Sequence, residues 1–347
     1  MRILLGLPKF EQVKRSALSC LLAVLFLGAV LGACGGDDAD ITVYSGRSEA
    51  QVEPLIEQFT RETGLKVSVR YGASAELAAQ ISEEGSNSRA DLFWSQDAGA
   101  LGAVDRQGLL APAPAEAAAS VDPRFKAGDG TWVGLTGRAR VIVYNPAKVP
   151  AGELPSSVFA LTEPKWKGRV AIAPTNASFQ AFVTAMRIQA GDGRTREWLR
   201  GLKANEPKVY ESNDLIVRAV NDGEVDLGLA NHYYLFQLGA EIGMDRLVAR
   251  NHYTANGDVG ALVNVAGVAI LKSSEAQADA GRLVQFLLSP PAQRYFAEAN
   301  YEYPLLPGVA AAPALTPLDQ IQSPDIDLAQ LDQLEASLTL LREVGLL

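Results

Sequence analysis

The sequence predicts an α/β protein of two lobes joined by hinge strands around a central cleft. Short β-type runs alternate with amphipathic helical stretches along most of the chain. The roughly 310 residues that follow an apolar leader exceed what one hydrophobic core usually serves. A buried-strand pattern over 260–271 then comes late, after a second α/β block, and reads as a return to the first. Strands crossing between two lobes make a hinged cleft that suits a small ligand.

Residues 1–33 read as an address. Arg2, Lys9, Lys14 and Arg15 precede an apolar run over 16–30, which is too short to span a bilayer comfortably. Leu31-Gly32-Ala33-Cys34 closes it and resembles a bacterial lipobox, making Cys34 the lipid-bearing first residue and 34–40 a polar tether. A plain secretory site with an incidental cysteine is the alternative. Cys20, the only other cysteine, falls in the leader, so the mature domain has neither a disulfide nor a cysteine cluster for metal. Cleavage leaves 27 Lys and Arg against 39 Asp and Glu, a charge of −12. That balance argues against nucleic acid and against anionic lipid, leaving the acyl group as the membrane contact.

Residues 41–44 form the first strand, and Val52, Leu55, Ile56 and Phe59 fall at helical spacing before Gly64 stops the helix. A second strand over 66–71, a helix capped by Ser74 and running through Ile81 to Gly85, a third strand over 91–94 and a helix from Gly99 to Asp105 follow. This βαβαβα series implies a mainly parallel sheet with ligands beyond the carboxyl ends of its strands. After a Pro-rich loop over 111–123 come strands at 140–144 and 169–172, a helix over 178–189, a strand at 208–210, a helix capped near Ser212 and a strand at 225–229. A loop-rich tail ends in a helix over 327–344, whose Leu331, Leu334, Leu338, Leu341 and Val344 form a stripe for packing on the second lobe. The lobes are then 41–138 with 264–314, and 139–263 with 315–347.

In Leu229-Ala-Asn-His-Tyr-Tyr-Leu235, two adjacent tyrosines directly follow a buried-strand pattern. First-turn neighbours of a helix point about 100° apart, so at such a corner both phenols can lean into the cleft. Phenolate oxygen is a hard donor, matched to ferric iron better than to zinc or copper. A bound cation lowers the pKa of its ligands, so phenols can ionise on it. Taken alone, the pair also reads as two half-buried aromatics packing a helix. His232 beside it reads as a loop or supporting residue rather than a ligand. Enzyme signatures are missing: His232 and His252 are the only histidines, and there is no HExxH, P-loop, GxSxG or glycine-rich dinucleotide fingerprint. Glu83-Glu84 is most simply a solvated helix face.

Further stretches carry a resemblance. They are Ile41-Thr-Val-Tyr-Ser-Gly-Arg-Ser48, Thr60-Arg-Glu-Thr-Gly-Leu-Lys-Val67, Ala90-Asp-Leu-Phe93, Thr136-Gly-Arg-Ala-Arg-Val-Ile-Val-Tyr144, Asn231-His-Tyr-Tyr234, Gly257-Asp-Val-Gly-Ala-Leu-Val-Asn264 and Asn300-Tyr-Glu-Tyr-Pro304. In that order and spacing the chain resembles the ferric-ion-binding proteins of bacterial ferric ABC transporters over nearly its whole mature length. The resemblance implies a type II-like periplasmic-binding-protein fold, a ferric ion held in the cleft by Tyr233 and Tyr234, and delivery to an ABC permease. Several members add a third tyrosine from the strand after the first crossover, a place that Tyr144 occupies; three phenolates would balance the ferric charge.

Some members place a histidine after the first strand and a glutamate after the third, where this chain has Ser48 and Gln96. Glu49 and Asp97, one residue later, are candidate substitutes, although a one-position shift redirects a side chain. Two arrangements compete for a small synergistic anion. Pro174-Thr-Asn-Ala-Ser178 precedes a helix, and with Asn213 and Asn231 it matches the family's phosphate site, so Asn176, Ser178, Asn213 and Asn231 are candidates. Ser178 also reads as a simple N-cap. Arg47 and Arg138, in cleft-facing loops, would instead pair with carbonate, and the replacement of the histidine and glutamate leans the reading that way. The expectation is a monomeric, non-enzymatic receptor on the outer side of a membrane, anchored at Cys34. A same-fold receptor for an organophosphonate, oxyanion or polyamine is the first alternative, and a periplasmic enzyme or sensor the second.

Overall fold

The computed structural model describes residues 39–347, so the leader, Cys34 and the tether up to residue 38 lie outside the described residues. The described chain opens with β1 (Ile41–Ser45) and α1 (Glu49–Thr63). Val52, Leu55, Ile56 and Phe59 are all buried on one face of α1, each worth about 2 kcal/mol. Gly64 ends the helix in the left-handed region at φ 75°. β2 (Val67–Tyr71), α2 (Ser74–Glu84), β3 (Leu92–Ser95) and α3 (Ala98–Asp105) complete the first series. Ser74 starts α2 rather than capping it, and its hydroxyl accepts the Gln96 N–H at 2.8 Å.

The Pro-rich stretch holds the end of β4 (Leu110–Ala111) and a short α4 (Ala115–Ser120). β5 (Trp132–Tyr144) is 13 residues long, where the sequence pattern predicted only 140–144. It is buried at every position but the last, so the alternation that marks a half-exposed strand is missing. β6 (Val170–Ile172), α5 (Ala177–Ala204), β7 (Lys208–Val209), α6 (Asn213–Asn221), β8 (Leu227–Asn231), α7 (Tyr233–Ile242) and β9 (Arg250–His252) form the second block. α5 is two helices joined across a kink at Gly191 (φ 82°), so it continues past the predicted end. β8 lies two residues later than expected, putting Asn231 on the strand and Tyr233 in the first helical position. β10 (Val263–Leu271), α8 (Gln277–Leu287), α9 (Pro290–Ala299) and β11 (Tyr303–Pro304) follow.

The strands run β2-β1-β3-β10-β5-β8-β6-β7. β1 pairs parallel with β2 and β3, and β6 pairs parallel with β7 and β8. β5 is the joint between these parallel groups. Its residues 132–139 pair antiparallel with β10, and its residues 140–144 with β8. One strand therefore serves both lobes and changes partner between Ala139 and Arg140. The two-lobed α/β fold with crossing strands expected from the sequence is the fold observed.

The tail departs from its prediction. A 3-10 turn, Leu328–Asp332, precedes α10 (Leu334–Glu343), so the single helix expected over 327–344 is broken. α10 packs on α5, where the Ser337 and Thr184 hydroxyls meet at 2.7 Å. The 3-10 turn lies instead on α3. A Cβ at Gly99 would come within 2.7 Å of the Leu331 carbonyl oxygen, and one at Gly102 within 2.5 Å of that of Ala329. Asp332 also forms an ion pair with Arg106, the residue after α3. Among the described residues no helix is long and apolar enough to cross a membrane.

Candidate metal centre

A cavity of about 680 Å³ opens where β5 changes partner. One wall brings Gln96 and Asp97 from the end of β3; Arg138 and Arg140 come from β5. Asn176 and Ser178 at the start of α5, and Asn231, Tyr233 and Tyr234 at the β8–α7 corner, face them, and Leu331, Asp332 and Leu334 of the tail close one side. Among the described residues no three His, Cys, Asp or Glu side chains gather as a metal site. Three carboxylates, Glu83, Asp97 and Asp332, line the cavity without forming such a group, and its adjacent hard oxygen donors are the phenols of Tyr233 and Tyr234.

The tyrosine corner follows from where β8 stops. Asn231, its last residue, pairs with Arg140, and the chain turns helical at His232 (φ −56°, ψ −38°). Tyr233 and Tyr234 then occupy the first turn with ring centroids 4.3 Å apart. Tyr233 is buried and Tyr234 half-buried. Burial raises the Tyr234 pKa above the usual phenol range, the adjacent Tyr233 raises it further, and Arg138 opposes both. In the metal-free protein Tyr234 is thus held protonated, and a cation must displace that proton. His232 faces away from the cavity. Its Nδ1 accepts the Ala139 N–H at 3.1 Å and its Nε2 donates to the Tyr301 carbonyl at 2.9 Å. Desolvation lowers its pKa to about 4, so the ring is neutral at pH 7.

Beside the phenols lies a nest of polar side chains. Asn176 caps α5, its Oδ1 accepting the Ser178 N–H at 3.0 Å, the Ser178 hydroxyl at 2.6 Å and an Asn213 amide N–H at 3.1 Å. The N-cap is therefore Asn176 rather than Ser178. At the centre of the nest is Arg140, which the sequence reading missed. Its Nη1 donates to Asn231 Oδ1 at 3.0 Å and to Ser178 Oγ at 3.1 Å, with Asn213 Oδ1 at 3.5 Å. Its Nε and Nη2, and the Nε of Arg138, are buried without a hydrogen-bond partner. Desolvation lowers the Arg140 pKa to about 10, against the pull of Tyr233 and Tyr234. The guanidinium stays charged, with donors left to offer. The sequence held one signal for it: Arg138 and Arg140 are two apart in a strand and share a face.

Of the other predicted site residues, Tyr144, Arg47, Ser48 and Glu49 do not line the cavity, whereas Gln96 and Asp97 do. Tyr144 lies four positions along β5 from Arg140, paired with Leu227 and Arg250, which is about 13 Å of strand away from the tyrosine corner. The structure does not bring it beside Tyr233 and Tyr234. Arg47 is committed elsewhere, to Glu302 at 2.8 Å, with both side chains buried. Desolvation opposes ionisation of Glu302, but Arg47, Arg138 and Thr136 outweigh it and hold its carboxyl below the usual range. An Arg47 and Arg138 clamp on carbonate is thus broken on the Arg47 side. Glu49 and Ser48 are exposed at the start of α1, with the Ser48 hydroxyl bonded to Gln51 at 3.0 Å. Asp97 lines the cavity but caps α3, accepting the Ala100 N–H at 2.9 Å. Desolvation raises its pKa, while the Ala100 and Gly99 amides and Arg138 lower it. Gln96 lines the cavity as a neutral amide.

Two lobes sharing a crossing strand around a buried polar cleft define a solute-binding protein of the two-lobed type. The chain belongs to the bacterial extracellular solute-binding protein family, which it matches over residues 87–330, and within it to the ferric-ion-binding proteins. It is 37% identical to the Fe(3+)-binding periplasmic protein of Serratia marcescens over 89% of this chain and 91% of that one. It is 36% identical to the major ferric iron-binding protein of Neisseria meningitidis serogroup B, over 92% and 97% of the two chains. Iron-bound HitA from Pseudomonas aeruginosa has the same fold, with a TM-score of 0.82 at 38% identity, covering 88% of this chain and 99% of that one.

Proposed function

We propose that this protein captures one ferric ion on the phenolates of Tyr233 and Tyr234, together with an oxyanion held by Arg140, Ser178 and Asn231, and delivers it to an ABC permease as a receptor tethered at Cys34. The observation that carries the reading is the juxtaposition of two phenols with two buried arginines whose nitrogens lack partners. Charge decides what else must bind. Two phenolates leave one ferric charge uncompensated, and Arg138 and Arg140 add two more in a desolvated cleft. Asp97 is engaged by its own helix. A multiply charged oxyanion such as phosphate, or carbonate, bridging iron and Arg140 supplies the balance, and the polar nest favours this position over a pairing with Arg47. The cavity presents no nucleophile paired with a general base, which supports binding and release rather than catalysis.

The test is a titration of the purified, metal-free protein with ferric citrate, with and without added phosphate or bicarbonate. The expected result is one iron per chain, a visible phenolate-to-iron band, and an affinity that rises with one of the anions. Uptake of an oxyanion without iron, and no band, would replace this reading by the same-fold anion receptor.

A further inference from the structure

His232 sits where β8 leaves the sheet, one residue before the tyrosines, and both its ring nitrogens are used by backbone from other segments. Ala139, the last β5 residue to pair with β10, donates its N–H to His232 Nδ1 at 3.1 Å and accepts the His232 N–H at its carbonyl at 3.0 Å. In a continuing ladder a strand carbonyl would accept that Ala139 N–H. Here the imidazole takes the carbonyl's place. The chain can therefore turn into α7 without leaving a buried backbone donor unpaired. A backbone N–H can only donate, so Nδ1 bears the lone pair and the ring proton is on Nε2, which donates to the Tyr301 carbonyl at 2.9 Å.

Tyr301 is a non-glycine residue at φ 55° in the connection between α9 and β11, and β11 pairs with β5 on the β10-paired side of the crossing. The same ring stacks on Tyr303 at 4.6 Å and meets Tyr233 edge-on at 5.7 Å. Asn251 of β9 donates to the His232 carbonyl at 2.9 Å. One side chain thus touches the crossing strand, the connection from the other lobe and the first phenol.

We infer that His232 is the positioning residue of the metal centre, its Nε2–H tautomer fixing the Tyr233 phenol relative to the strand that joins the lobes. The inference rests on the iron reading above. It predicts that His232→Phe, which keeps the ring's bulk and stacking but loses both hydrogen bonds, binds ferric iron about 10- to 100-fold more weakly, the range seen when a ligand's supporting partner is lost. The phenolate-to-iron band should move in energy, and His232→Gln, with one acceptor and one donor, should recover part of both.

The experiment is citrate-competition affinity and the visible spectrum of the full chain for wild type and both variants. It is joined by nitrogen NMR of the metal-free wild type, which reports the tautomer without depending on how a variant folds. A His232→Phe protein with wild-type affinity and band overturns the inference, as does a proton found on Nδ1. Weaker binding with an unshifted band and no recovery in His232→Gln also overturns it, since that pattern marks general destabilisation. Wild type with no ferric affinity overturns the iron reading and this inference with it, whereas indifferent variants of an iron-binding wild type overturn the inference alone.

Discussion

The two walls of the cleft are built from different materials. The wall from β5, α5, α6, β8 and α7 is a cross-bonded set of polar groups, in which Asn176, Ser178, Asn213, Asn231 and Arg140 hold one another. The wall from α2 and α3 is mostly small: Ala75, Ala78, Ala79, Gly99, Ala100 and Ala103 line it, and of its two carboxylates Asp97 caps a helix and Glu83 stands near the end of α2. A network whose members are already paired is preorganised, so ligand binding costs little ordering. Small side chains offer shape and exclusion of water. On the proposed reading, the difference assigns the affinity to the first wall and the shape of the cleft to the second.

The largest effect should come from the phenols. The Tyr233→Phe, Tyr234→Phe double variant should lose the visible band and bind iron at least about a hundredfold more weakly, because the carboxylates that line the cavity, Glu83, Asp97 and Asp332, do not gather as a metal site and supply no phenolate. Persistence of the band in that protein would break the assignment of affinity to this wall. Next comes Arg140. Its replacement by leucine leaves Ser178 and Asn231 without their shared donor and removes the anion's countercharge, so affinity should fall about tenfold or more and lose its dependence on added anion. Titrations in phosphate and in bicarbonate check this.

Arg47 should behave in the opposite way, lowering stability while sparing the band. Arg47→Met strands the buried Glu302 carboxylate, a loss of about 3–5 kcal/mol measurable by urea unfolding. The Glu302 pKa is depressed in the folded state, so the stability this pair supplies is present above the unfolded carboxyl pKa of about 4.3 and is lost as pH falls through the folded value. Wild type should therefore lose stability in acid below that pH more steeply than Arg47→Met. Equal acid profiles would mean that the pair contributes nothing.

Much of the first wall's chemistry was legible in sequence and some of its geometry was not. The tyrosine corner announces itself because two phenols directly follow a buried-strand pattern, and Asn176, Ser178 and Asn231 fall at a helix start and a strand end, where backbone donors and turns concentrate. Arg140 stayed hidden because an arginine is usually a solvated charge and only the β5–β8 register puts it opposite Asn231. Register was hard to read for a physical reason: β5 is buried on both sides, so no alternation marks its ends or its faces. Tyr144 entered the ligand set through the resemblance alone, and the register sets it opposite Leu227 instead of beside the tyrosine corner. The broken tail helix escaped because its leucines keep a helical period across the 3-10 turn, which the contact with Gly99 and Gly102 imposes from outside.

The smallest effect tests that register directly. If Tyr144 were a third phenolate, iron binding would release about three protons below the phenol pKa; with Tyr233 and Tyr234 alone it releases about two. Since protons compete with the metal for the same oxygens, affinity falls as pH falls in either case, and only the slope differs. Tyr144→Phe should leave the slope, the band and the affinity unchanged, because its backbone is paired with Leu227 and Arg250 well away from the corner. Ser48→Ala should be equally silent, its hydroxyl being spent on Gln51 at the surface of α1. Affinity measured against pH for the three proteins separates the cases. A Tyr144→Phe protein that releases one proton fewer than wild type would show that the second wall's closure draws this strand end to the metal, and the contrast between a loaded wall and a covering wall would fail.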